Sequence, residues 1–157
     1  MKKTAADYLE LVKQWHPTKN GDLKPINFSF GSSKKIWWKC PVSEDHEWQA
    51  SVKNRIRTNG GGCPCCVGQK VVPSNCLATT HPELIKQWHP TKNGDLTPFD
   101  IVAGSSKQIW WKCPIIKDHE WKSTITTKIN HGCSCCANIT IVLSNCLANT
   151  HPEIAKQ

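Results

Sequence analysis

Two sets of four metal-binding side chains, in the same order and nearly the same spacing, constrain this 157-residue chain more than anything else in it. The first set is Cys40, His46, Cys63 and Cys66, with five, sixteen and two residues between successive members. The second is Cys113, His119, Cys133 and Cys136, with five, thirteen and two. Thiolates and imidazole are strong ligands for a tetrahedral ion, and the C-x2-C spacing lets both sulfurs of one tight turn reach the same ion. The set is read as two Cys3His sites and two Zn2+ per chain. Four protein ligands close the tetrahedron, so the sites are structural rather than hydrolytic. Cys76 and Cys146 recur at one place in both repeats. They stand either as substitutes for the histidines or as small buried hydrophobes. Cys65 and Cys135, each beside a ligand, point elsewhere.

The repetition divides the chain into modules of about 70 residues. A domain of that size buries only about 60% of its unfolded surface and needs a staple. Structural zinc contributes about 10–16 kcal/mol of apparent binding free energy, more than the net stability of most domains. Ten cysteines also suit a secreted disulfide scaffold. However, Asp7 and Glu10 fall where a secretory signal needs an unbroken apolar stretch. No run approaches the roughly 18 apolar residues of a membrane span. The expectation is a cytoplasmic, nucleoid or viral compartment, with no secretion and no membrane.

From Leu11 to Trp48 the second copy lies 73 positions later, and the loop between His119 and Cys133 is three residues shorter, so that from Cys133 on the offset is 70. The expected modules are 1–79 and 80–149, with 150–157 as the start of a third copy of the helix or a C-terminal cap. Tyr8, Leu11, Val12 and Trp15 recur at helical spacing, so Thr4 to Trp15 reads as an amphipathic helix capped by Thr4 and ended by Pro17. Asn20-Gly21 is a turn signal. Lys34 to Cys40 and Trp48 to Ile56 read as an antiparallel pair, whose connection Pro41 to Glu47 carries the first two ligands. Thr58-Asn59-Gly60-Gly61-Gly62 reads as a loop that delivers Cys63 and Cys66. Thr80-His81-Pro82-Glu83 reads as a capping box opening a helix to about Trp88, which would join the modules and pack on both. The fold class is small α+β, each module a helix, a hairpin and a Cys-turn.

The formal charge is +8 and the isoelectric point about 9.0. Each Cys3His zinc complex carries a net −1, which leaves about +6 with metal bound and suits an anionic partner. Lys53, Arg55 and Arg57 alternate and would share one face if the strand runs that far, a face suited to phosphates. Lys122 and Lys128 are their counterparts in the second copy, and Lys34, Lys35 and Lys107 flank the Gly-Ser-Ser loops. Solvated surface charge is the competing reading. The eight tryptophans, four per repeat, read first as core. The outward member of each Trp-Trp pair is open to a partner, including stacking on unpaired bases. Glu47 and Glu120 read as salt-bridged or exposed rather than as general bases.

The combined pattern is a helix ending in Trp-His-Pro, then Asn-Gly, Trp-Trp-x-Cys, His-x-Trp and C-x2-C. It resembles the treble-clef zinc finger family of short tandem repeats in bacterial, phage and large-DNA-virus proteins. The resemblance covers nearly the whole chain and implies the same eight ligands by position. The chain departs from the family pattern in the five residues between Cys40 and His46, and in Cys65 and Cys135. Some relatives carry restriction-endonuclease-like domains, which implies nucleic-acid binding by association. The resulting expectation is non-enzymatic binding of nucleic acid, DNA ahead of RNA. The alternatives are a module that docks onto a larger protein complex and an accessory domain of a nuclease.

Overall fold

The computed structural model describes residues 3–57 and 62–155. The loop read at Thr58-Asn59-Gly60-Gly61 lies outside them. Two compact units divide between Ser74 and Asn75, ahead of the boundary at 79/80 read from the sequence. The reason is packing: Leu77 is buried in the second module's core, Cys76 forms a β-bridge with Val102, and the Leu77 amide donates to the Ile101 carbonyl at 2.7 Å.

In the first module the expected helix from Thr4 to Trp15 is two shorter pieces. A 3-10 turn, Ala5–Asp7, is followed by α1, Leu9–Lys13, with Tyr8 extended between them. Thr4 does open it, its amide donating to the Asp7 carboxylate at 2.7 Å. Tertiary bonds override the helical pattern at both ends. The Ala5 amide donates to the Phe28 carbonyl at 2.9 Å, and the Gln14 carbonyl accepts from the Lys39 amide at 2.8 Å.

The hairpin follows the alternation in the sequence. β1, Lys35–Lys39, pairs antiparallel with β2, Glu47–Ser51, in a register that sets Trp38 opposite Trp48. Ile36, Trp38 and Trp48 point inward and are buried, while Trp37 lies half-buried on the other face. The outer edge of β1 is not left open. His16 donates its amide to the Trp37 carbonyl at 3.2 Å. The Asn20 amide side chain donates to that carbonyl at 3.0 Å and accepts from the Trp37 amide at 2.9 Å. Asn20 thus pairs with the strand as a neighbouring strand would, and Gly21 takes the positive φ that the turn requires (55°). The second module repeats this with Asn93 on Trp110, at 3.0 and 2.8 Å.

The strand expected to run from Trp48 to Ile56 ends at Ser51. It is replaced by α2, Val52–Arg57. Ser51 Oγ accepts from the Asn54 amide at 3.2 Å, an N-cap contact. Val52 and Ile56 fall four apart on the side of α2 that meets the core. The spacing of two in Lys53, Arg55 and Arg57 therefore spreads them around a helix rather than along one strand face.

The second module is built alike. β3, Ile109–Lys112, pairs with β4, Glu120–Ser123, and α4, Ile125–His131, follows, capped by Thr124. Its opening segment is α3, Leu77–Thr80, then a 3-10 stretch, Pro82–Gln87, in place of a helix opening with a capping box at Thr80. The residue before proline avoids the helical region. His81 accordingly breaks the helix, and Thr80 Oγ1 donates back to the Cys76 carbonyl at 2.9 Å.

The cores are equivalent: Leu11, Ile36, Trp38, Trp48 and Val52 in one, Leu84, Ile109, Trp111, Trp121 and Ile125 in the other. Trp15 meets Trp38 edge-on at 5.4 Å between centroids, and Trp88 meets Trp111 at 5.6 Å. The third copy of the opening segment forms α5, Leu147–Thr150, with backbone angles at Cys146 and His151 close to those at Cys76 and His81. Leu147 and Ile154 are 52% and 53% exposed, whereas Leu77 and Leu84 are 0% and 5%. Among the described residues no helix is long and apolar enough to cross a membrane.

Candidate metal centre

Each hairpin supplies two donors and each Cys-turn two more. Cys40 leaves β1 and His46 leads into β2, their backbones joined by a Cys40 amide to His46 carbonyl bond of 2.9 Å. Cys63 and Cys66 stand on a turn closed by Val67 to Cys63 (3.2 Å) and Gln69 to Pro64 (2.8 Å) backbone bonds. This turn needs one residue at positive φ, filled by Gly68 in the first module and Asn138 in the second.

The structure brings Cys40, His46, Cys63 and Cys66 together, and separately Cys113, His119, Cys133 and Cys136. In each group all four ligand atoms lie within 4.8 Å of one another. Zinc bonds of about 2.3 Å to sulfur and about 2.0 Å to nitrogen imply tetrahedron edges near 3.8 Å for S–S and near 3.5 Å for S–N. The Cys40–Cys66 and Cys113–Cys136 sulfurs are 3.7 and 3.8 Å apart. His46 Nδ1 lies 3.7 Å from Cys63 Sγ and 3.4 Å from Cys66 Sγ. His119 Nδ1 lies 3.6 and 3.2 Å from Cys133 and Cys136. The donor sets fit zinc. None of the ten cysteines is joined in a disulfide.

Electrostatics within each set also favours a cation. Burial pushes the Cys66 thiol up to about 12, reinforced by the neighbouring Cys40 and Cys63. Cys136 is pushed up to about 12 in the same way by burial, Cys133 and Cys113. Burial also pushes Cys63 up, but the backbone amides of Cys66 and Cys65 outweigh it and hold that thiol below its ordinary value. Three thiolates do not coexist in so small a space without a compensating charge, and a dication supplies it.

The histidine tautomer is set from behind. His46 Nε2 is 3.1 Å from Ser74 Oγ, which donates to Asp45 Oδ1 at 2.7 Å, while the Ser74 amide donates to Oδ2 at 2.8 Å. With its own proton committed to Asp45, Ser74 Oγ accepts from Nε2–H. That leaves the Nδ1 lone pair facing the thiols. The Ser74 and Ser43 hydroxyls and the Ser74 amide hold the Asp45 carboxyl down at about 2. His119 Nε2 meets Ser144 Oγ at 2.9 Å, and the Ser144 amide donates to Asp118 at 3.0 Å. Sequence reasoning missed these supports. Their signal was the repeated Ser-Asn-Cys-Leu-Ala and Asp-His.

Cys76 and Cys146 do not join either group. Cys76 Sγ meets Thr79 Oγ1 at 3.4 Å, and Cys146 Sγ faces the Leu143 carbonyl at 3.3 Å. Glu47 is held by Lys19 and by His16 Nε2, the latter at 2.8 Å, and the hydrogen bonds from these two side chains pull its carboxyl down to about 2. Glu120 is held likewise by Lys92 and His89. Both glutamates are salt-bridged and neither is free as a base. Lys19 and Lys92 also cap the outward tryptophans, each 4.7 Å from the ring centroid of Trp37 or Trp110.

The basic residues separate into two kinds. Lys34, Lys35, Lys53, Arg57, Lys107 and Lys122 are exposed. Arg55 and Lys128, read from the sequence as phosphate contacts, are buried at 3% and 5% exposure. The cause is the helix that replaces the strand, which turns both toward the tryptophans of the hairpin.

A family model described as "Probable Treble clef zinc finger domain" matches the chain twice, over residues 11–69 and 84–139. Each matched segment contains one Cys3His set. No curated protein matches the chain.

Proposed function

This chain belongs to the treble clef zinc finger family, and on that footing we propose that it is a non-enzymatic tandem module that binds nucleic acid, DNA ahead of RNA, through a basic face. The observation that carries the reading is a cluster of exposed ammonium groups on the first module. Lys35 lies opposite Ser51 across the hairpin, and Lys34 adjoins it. The Lys53 amide bonds the Ser32 carbonyl at 3.0 Å, which brings the first turn of α2 to the same place. Arg57 extends the exposed charge along α2. Phosphates suit such a surface, and nothing in it provides base-specific readout. In the second module Lys107 and Lys122 are exposed, but Gln108 and Thr126 stand where the first has Lys35 and Lys53. The first module is therefore the stronger binder. Four protein ligands per site leave no open position for catalysis on the metal.

Replacing Lys34, Lys35 and Lys53 together by Gln should weaken binding to a short duplex about tenfold or more at moderate salt. The slope of log K against log salt should shrink by about 2 to 3. Titrations at several salt concentrations read both quantities, and unchanged affinity and slope would remove this face from the interface.

A second reading, docking onto a protein, is favoured by a groove that recurs in both modules. Trp48, Gln49, Asn54, Arg57 and Val67 line it in the first, and Trp121, Lys122, Thr127, His131 and Ile139 in the second. Val67 and Ile139 are exposed apolar residues at its lip. Binding through the groove would be far less sensitive to salt.

A further inference from the structure

We infer that Arg55 and Lys128 are the built-in counter-ions of the two zinc–thiolate complexes, so that each module sets one buried cation beside its partly buried, negatively charged metal site. The two residues are 73 positions apart, which makes them equivalent in the repeat, and each lies on the helix after its hairpin. Among the described residues they are the only buried Lys, Arg, Asp or Glu side chains. A long cationic side chain normally leaves its charge in water, so burying one in each module needs a cause.

The surroundings supply one. The Arg55 guanidinium carbon lies 5.1 Å from the Trp38 ring centroid and 5.0 Å from that of Trp48. One of its terminal nitrogens donates to Gln14 Oε1 at 2.6 Å. Trp38 and Trp48 belong to the same buried cluster as the ligands Cys40 and Cys63. Lys128 Nζ lies 5.2 Å from the Trp121 ring, in the cluster that holds Cys113 and Cys133. Burial lowers the proton affinity of each cation, and the nearby thiolates oppose that effect. They are Cys63 and Cys40 for Arg55, and Cys133, Cys113 and Cys136 for Lys128.

The charge balance closes. One Zn2+ with three thiolates and a neutral imidazole carries −1, and one fixed cation per module cancels it. A net charge inside a low-dielectric core is strongly disfavoured unless paired, and the tryptophan faces hold the cation without quenching its charge. The two modules use different side chains, a fork-shaped guanidinium and a point-like ammonium. What they share is the charge and its place, not a hydrogen-bonding shape.

The test is zinc affinity, measured by competition with a chromophoric chelator on the full chain. Arg55→Met and Lys128→Met keep an unbranched side chain against the rings but remove the charge. Each should weaken zinc at its own site by about 10- to 100-fold and leave the other site unchanged. Arg55→Lys and Lys128→Arg keep the charge and change the shape, so they should retain near-native affinity. Cobalt substitution shows from the intensity of the tetrahedral absorption bands whether the site assembles, and circular dichroism of the zinc-saturated variants separates a lost charge from a folding defect. Native zinc affinity in both methionine variants would overturn the inference. So would charge-retaining variants that lose as much affinity as the methionine ones, since that pattern assigns the residues to packing alone.

Discussion

Stripping the metal with a strong chelator should unfold both modules, shifting tryptophan emission to the red and collapsing the far-ultraviolet circular dichroism, and returning zinc should restore both. Structural zinc contributes about 10–16 kcal/mol, whereas a whole domain is stable by only about 5–15 kcal/mol. No other interaction in a module of this size approaches that. The dependence should be local: Cys63→Ser removes a donor from the first set only, and Cys133→Ser from the second. The pH dependence has a definite sign. Unfolded without metal, the thiols return to the ordinary value of about 8.5, and burial in the folded module would push Cys66 and Cys136 up to about 12, so either way the metal-free protein binds more protons at neutral pH than the loaded one. Zinc uptake releases those protons, apparent affinity rises with pH, and zinc leaves as the solution is acidified. Metal-free protein that keeps native emission at neutral pH would show that the hydrophobic clusters suffice alone.

The second large effect is expected at the inward tryptophans. Trp38 is fully buried, meets Trp15 edge-on, lies under Arg55, and donates its indole N–H to the Ala50 carbonyl at 2.9 Å. Trp38→Ala removes that packing and the indole hydrogen bond, and opens a cavity. The cost should be about 3–5 kcal/mol, comparable to the whole stability of a small domain. Trp111→Ala should do the same in the second module, where the indole bonds the Ser123 carbonyl at 3.3 Å. Trp37 is half-buried and outward, so Trp37→Ala should cost roughly 1 kcal/mol, since little of its surface lies in a core. Urea unfolding of the zinc-loaded variants orders the three. Equal losses at Trp37 and Trp38 would contradict the two-faced hairpin.

What could be read from the sequence was what is encoded locally and twice. The Cys3His sets show because their spacing is short and repeats in register. The hairpins show because adjacent tryptophans in a strand must face opposite ways. The helix α2 stayed hidden because Lys53, Arg55 and Arg57 alternate as a strand would. The helical signal at that place is weaker, only Ser51 as a cap with Val52 and Ile56 four apart, matched by Thr124 with Ile125 and Ile129. That one misreading also exposed Arg55 and Lys128 on paper when they are in fact buried. The opening segments had helical periodicity, but backbone bonds to Phe28, Lys39 and Ile101 shortened them, tertiary pairing outweighing local preference. Ser74 could not be connected to His46 at all, since the two are 28 residues apart. Asn20 and His16 read as turn chemistry, which they are, but their bonds to Trp37 and Glu47 depend on a strand that folds later in the chain.

Each module is organised around one zinc held by three sulfurs and one imidazole nitrogen. X-ray absorption at the zinc edge on the fully loaded protein tests it most directly. The expected result is an average shell of three sulfurs at about 2.3 Å and one nitrogen at about 2.0 Å, with the outer-shell scattering of a single imidazole. A shell of four sulfurs would mean that another cysteine replaces His46 and His119. A shell of light atoms alone would mean that the cysteines do not hold the metal.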